Sequence, residues 1–132
     1  MSGTAIVRYL LANNTPLVAV VPAARIMAGA LPLNTVLPAI SVTQVSGVPF
    51  PLIKTSETSI HKDRVQVTVL ATTYPEQKSI LALVRAAVVS SHGTVNGLAV
   101  DGITRDTEGP DVYSDNPIIY TQSQDHIVRF PR

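Results

Sequence analysis

The period of hydrophobic residues changes once, clearly, within residues 64–91. Val65, Val67, Val69 and Ala71 alternate with Gln66, Thr68, Leu70 and Thr72. Successive side chains of a strand point to opposite faces, so this run predicts a strand with one apolar face and one mixed face. Its β-branched content suits a pleated, half-buried surface. Thr73 followed by Glu76 then fits a capping box, with Pro75 in the first turn of a helix, where its missing N–H is not needed. Beyond it, Ile80, Leu83, Val84, Ala87 and Val88 recur at helical spacing, while Gln77, Lys78, Ala82 and Arg85 take other sides. A strand feeding an amphipathic helix that folds back over it forms a nucleus for the remaining chain.

The flanking pattern supplies further elements. Residues 4–12 read as a short helix, with Thr4 as cap and Ile6, Val7, Leu10 and Leu11 as one stripe. Asn13, Asn14 and Pro16 end it. Residues 17–21 suit a helix or a strand equally. Six of the ten prolines fall in residues 16–51, which predicts a series of short pieces. Within that series, residues 39–45 read as a strand carrying Ile40 and Val42, with Val45 one step out of phase. Residues 47–63 lack periodicity and read as a long excursion between two strands. His92 and Gly93 close the central helix. Asn96-Gly97 signals a tight turn. Residues 98–107 read as a third strand, 108–117 as a turn-rich loop and 118–130 as a fourth strand. This order predicts one domain over residues 1–132 of the α+β class: a mainly antiparallel four-stranded sheet with helices packed on one face and a long loop between its first and second strands. The other face, with Gln66, Thr68, Leu70 and Thr72, is free for another subunit.

Composition narrows the function. Charged residues make up 14% of the chain, well under the usual ~25%, so a partner can cover much of the surface without stranding ions. The net charge of +1 gives no global field that would gather nucleic acid. Without cysteine, disulfides, thiolate metal sites and thiol nucleophiles are excluded. No apolar run reaches the length of a membrane span.

Catalytic chemistry is not visible. His61, His92 and His126 lie far apart in sequence, and none has the spacing of a helical metal pair. No Gly-x-Ser-x-Gly elbow, phosphate-cradling glycine loop or dinucleotide fingerprint is present. Asp101, Asp106, Glu108, Asp111 and Asp115 cluster without the spacing of a calcium loop. They read as a solvated face, or as acids that set register against Arg64 or Lys62 of a neighbouring subunit. The six aromatic residues form no stacking series for single-stranded nucleic acid. No metal, cofactor or catalytic residue is expected.

The order of short motifs resembles the small tail-completion proteins of long-tailed bacteriophages, the family that includes tail terminators. The resemblance runs through Arg25-Ile26 with Gly29 and Pro32, through Pro38-Ala39-Ile40-Ser41-Val42, and through Ser46-Gly47. It continues in Arg64-Val65-Gln66-Val67 with Ala71-Thr72-Thr73-Tyr74 and Glu76, then in Leu83-Val84-Arg85-Ala86-Ala87-Val88. Val95-Asn96-Gly97 and Ser123-Gln124-Asp125 complete it. Residues 118–122 depart from the family pattern, which carries arginines there.

The resemblance implies a structural virion protein and no enzyme. It implies a homo-oligomeric, six-membered ring on the last ring of the tail tube, in contact with the major tail tube protein below and the head–tail connector above. DNA would pass through its channel without sequence-specific binding, and no membrane would be involved. The protein would belong to the tail or neck of the virion and assemble in the host bacterial cytoplasm. Thr55, Ser56, Glu57, Thr58, Ser59, His61, Lys62 and Asp63 are the expected contact residues toward a neighbouring subunit or the tube, with Arg64 and Gln66 flanking them. A head-completion or neck protein is the alternative within the virion; a small ligand-binding or enzymatic α+β domain is the alternative outside it.

Overall fold

The structure is a computed structural model that describes residues 3–32, 35–50, 60–88, 93–95, 97–115 and 117–131. Helix α1 (Gly3–Ala12) leads into a single-turn helix α2 (Thr15–Val18) and a 3₁₀ turn at Ala23–Arg25. The strands are β1 (Ile26–Ala28), β2 (Ala39–Phe50) and β3 (Ile60–Ala71), followed by helix α3 (Tyr74–Ala87). Then come β4 (Gly93–Val95), β5 (Leu98–Val100), β6 (Gly102–Glu108), β7 (Val112–Asp115) and β8 (Ile118–Pro131).

Among the described residues the main sheet has six strands in the order β1-β2-β3-β8-β6, with β7 also paired to β8. All its pairs are antiparallel except β1 with β2. The fold is thus α+β with a mostly antiparallel, mixed sheet. The expected count of four strands is corrected. β1 is three residues in the proline-broken segment and carries no alternation to read. β7 lies in the stretch read as a loop, because its residues are all exposed and no apolar face betrays it. The expected third strand is two: β5 pairs with β4 in a separate hairpin, and β6 joins the main sheet. Gly97, at φ +76°, supplies the left-handed residue of the β4–β5 turn where the asparagine–glycine pair predicts it.

The expected excursion over residues 47–63 is corrected at its two ends, residues 47–50 and 60–63, which are strand; residues 51–59 lie outside the described residues. β2 and β3 stay paired from Ala39 opposite Leu70 out to Phe50 opposite Ile60, and β8 accompanies β3 as far as Pro131. The out-of-phase Val45 has a physical cause. The register of β2 slips by one residue between Gln44 and Ser46, a β-bulge with Val45 as the extra residue.

Burial alternates along β3, with Asp63, Val65, Val67, Val69 and Ala71 on the covered side and the intervening residues half-exposed. α1 and α3 pack on the covered side. Ile6, Val7 and Leu11 of α1 join Ile80, Leu81 and Val84 of α3 over Val65, Val67 and Val69 in one cluster with Ile40, Val42, Val128 and Phe130. Full burial of each such aliphatic side chain contributes roughly 1.5–3 kcal/mol. The cap of α3 forms as expected: the Glu76 N–H donates to Thr73 Oγ1 at 3.3 Å. The Glu76 carboxylate accepts from the Thr72 N–H instead of from Thr73. The buried face of α3 is rotated from the expected stripe, taking in Gln77 and Leu81, with Leu83 at its margin. No helix among the described residues is long and apolar enough to cross a membrane.

Candidate functional site

The end of the β2–β3 hairpin carries the residues expected to make contacts. Thr55, Ser56, Glu57, Thr58 and Ser59 lie outside the described residues, as does His92. The other five divide by strand parity. His61 and Asp63 face the helices, whereas Lys62, Arg64 and Gln66 face the uncovered side.

On the covered side Asp63 is almost wholly buried. Its Oδ2 accepts the Gly3 N–H at 2.9 Å, placing a carboxylate at the positive end of α1. Its Oδ1 lies 2.8 Å from His61 Nε2 and accepts from Gln44 Nε2 at 3.5 Å. The His61 ring in turn rests on Phe130, centroids 5.4 Å apart. Two glycines make room for this cluster. A Cβ on Gly3 would stand 2.8 Å from Asp63 Cβ, and one on Gly47 would stand 2.7 Å from Asp63 Oδ1. A histidine–aspartate pair is one component of a catalytic dyad, but here the carboxylate is also spent on the fold. Its partners are a helix N-terminus and an amide, which gives the pair a structural role: it ties the hairpin base to α1. Even spacing on the strand sends His61 and Asp63 inward, away from the open face on which Lys62, Arg64 and Gln66 lie.

On the uncovered side Arg64 Nη1 donates to the Asp106 carboxylate and to Asp125 Oδ2, the latter at 3.2 Å. Hydrogen bonding to Asp106 leads the upward shift of the Arg64 pKa and, reciprocally, the downward shift of Asp106. The acids were expected to form a solvated face or to set register against a neighbour's Arg64 or Lys62; Asp106 meets Arg64 of its own chain. Lys62 sits directly opposite Arg129 across the β3–β8 ladder. Arg129 donates to Thr104 Oγ1 at 3.2 Å, and neither cation meets a carboxylate among the described residues. A groove of about 220 Å³ runs beside them, lined by Ser46, Val48, Lys62, Arg64 and Ile127.

Two of the remaining acids of residues 101–115, Asp111 and Glu108, are tethered to α3. Asp111 accepts from Lys78 Nζ at 2.8 Å and from the Tyr74 hydroxyl at 2.9 Å. Hydrogen bonding to Lys78 lowers the Asp111 pKa, and hydrogen bonding to Asp111 raises that of Lys78. Glu108 pairs with Arg85 at 2.9 Å. Asp115 accepts from the Tyr113 hydroxyl at 3.0 Å, which raises the tyrosine pKa.

Sequence reasoning missed the polar row on the covered face of β8. Gln122, Gln124 and His126 are all buried there. Gln124 Nε2 donates to the carbonyls of Asp106 and Thr107, which the register shift in β6 frees from the ladder. Gln122 Nε2 donates to the Gly109 carbonyl and its Oε1 accepts from Lys78. The His126 ring has no hydrogen-bond partner among the described residues, and burial, aided by Arg105, pushes its pKa down to about 4. Gln122, Gln124 and His126, alternating in phase with Val128 and Phe130, are the signal that could have marked this row. No group of histidines and acids that could hold a metal ion exists among the described residues.

The arrangement thus offers an open, polar sheet face for contact. Comparison with known proteins agrees in kind. The family model described as "Tail completion protein gp17" matches residues 4–116. No curated protein sequence matches. Among solved structures, a chain from the "Virion of native gene transfer agent (GTA) particle" superposes with a TM-score of 0.73 at 12% identity. That match covers 99% of this chain and 96% of the other, so the likeness of fold extends through β8.

Proposed function

Because the chain belongs to the tail completion protein gp17 family, and is thereby a structural tail protein of a phage-like virion, we propose that it caps the tail tube as a ring. In this reading the ring, six-membered as the resemblance implies, sits on the last ring of the major tail tube protein. It ends tube polymerisation and offers the joining surface to the head connector. The physical logic is closure. A tube repeats one head-to-tail contact without limit, and a ring that matches the tube on one side only stops the series.

Family membership is the observation that carries this reading. The fold supports it in kind: one sheet face is covered by helices, and the other is half-exposed, polar and unused by the described elements. Lys62, Arg64 and Gln66 lie on that open face and belong to its contact surface. The neck is the corresponding site in the virion, with DNA passing through the channel and assembly taking place in the host cytoplasm. Electron microscopy of particles made without the protein tests the proposal. Over-long or unattached tails are expected. Normal tails beside leaking heads would move the protein to head completion instead.

A further inference from the structure

Two unlike patches lie at opposite ends of β8. The first is the groove on the open sheet face. It is lined by Ser46, Val48, which is 56% exposed, Lys62, Arg64 and the largely covered Ile127, and Arg129 stands beside it, directly opposite Lys62 in the ladder. Like charges directly across a ladder repel each other, and no acid among the described residues relieves them. Asp106 and Asp125 are bonded to Arg64, and Asp101, beside Gly102 opposite Arg129, forms no ion pair among the described residues.

The second patch is the end of the β7–β8 hairpin. Tyr113 and Ile118 are 53% and 51% exposed there. Asp115 stands directly opposite Ile118, and its partner among the described residues is a tyrosine hydroxyl, not a cation. Tyr113 is steadied against Tyr120, which also meets Tyr74 edge-on. The hairpin end is therefore an aromatic and aliphatic knob carrying one carboxylate without an ionic partner.

We propose that the knob of one copy seats on the groove of the next, with Tyr113 and Ile118 against Val48 and Ile127 and Asp115 between Lys62 and Arg129. The patches complement each other in charge and in apolar content. At a strand's rise per residue they are roughly 35 Å apart along β8, so one chain cannot satisfy itself. The contact joins different patches and is heterologous; repeated, it closes a ring or runs on as a filament. A nucleic-acid backbone is disfavoured as the occupant, because it would leave the exposed Val48 uncovered and meets a chain whose net charge is only +1. The apolar residues supply the attraction, and the charges fix register. This inference names the contact between copies within the ring reading above and rests on that reading for its biological setting.

The cysteine-free chain permits a direct test. A chain carrying Lys62→Cys and Asp115→Cys, oxidised at high concentration, gives a disulfide-linked ladder. A control with Ala24→Cys and Asp115→Cys gives little. In the parent chain, Asp115→Lys alone, or Lys62→Glu with Arg129→Glu, weakens self-association on the order of tenfold, and all three together restore it. Linkage no better than the control, or a combined variant as weak as either parent variant, would overturn the contact. Thermal melting shows in parallel that each variant is folded. Normal tails in particles lacking the protein would remove the tail-capping role, yet leave a positive linkage and charge rescue intact.

Discussion

Along β3, His61 and Asp63 turn toward the helices while Lys62 and Arg64 turn away, so the hairpin end has two sides made of similar residue types in different dielectric surroundings. Asp63 is buried and holds Gly3, Gln44 and His61 through direct hydrogen bonds. Asp106, on the other side, pairs with Arg64 in the presence of water. A buried carboxylate without its donors, or donors without their carboxylate, cannot turn to solvent for replacement partners, whereas an exposed ion pair can. The covered side should therefore govern stability, and the open side should govern association.

The sharpest break of this comparison is Asp63→Ala. It strips the N-terminus of α1 and two side chains of their acceptor, and about 3–4 kcal/mol of unfolding free energy should be lost in urea titration. Asp63→Asn, which keeps shape and one acceptor oxygen, should lose distinctly less. Equal and small losses for both would show that the cluster does not anchor α1.

The next effect depends on pH and tests the covered face at a second place. His126 has a folded pKa of about 4 against the ordinary 6.5. Between those values the unfolded chain binds the proton and the folded chain does not, so stability falls as pH drops from 6.5 toward 4. The loss is complete below the folded value and absent above the unfolded one. Its full extent is roughly 3 kcal/mol. Denaturant midpoints for the parent and His126→Leu, measured across that window, should diverge in slope; parallel curves would contradict a buried neutral ring.

The smallest effect belongs to the open side. Arg64→Gln removes both ion pairs of that arginine yet should leave the urea midpoint within experimental scatter, since exposed pairs add little. A shift approaching that of Asp63→Ala would erase the distinction between the two sides.

Local chemistry carried a good part of the fold. The alternation of Val65, Val67, Val69 and Ala71 fixed the covered face of β3 without reference to any other strand. Thr73 and Pro75 started α3 from groups within one turn, and the asparagine–glycine pair placed the β4–β5 turn. Even the stray phase of Val45 recorded the bulge that the structure contains. The placement of the expected contact residues was legible only by half. Arg64, Lys62 and Gln66 do lie on the open face, but His61 and Asp63 were assigned to the same surface despite the strand parity that sends them inward. That parity became readable only once the strand was known to continue past Arg64.

What the sequence determined by itself is what depends on neighbours within a few residues: periodicity, caps, turns, and the absence of thiol chemistry. Pairing decided the rest. β1 and β7 are strands because β2 and β8 accept them, not because of their own residues. Gln122 and Gln124 belong in the interior because a distant bulge leaves carbonyls there that need donors. Lys62 and Arg129 form a patch because the ladder sets residues 67 positions apart directly opposite each other. Hydrogen bonds between strands and the burial they enforce are properties of the assembled sheet, so only the tertiary structure could reveal which charges had found partners and which had not.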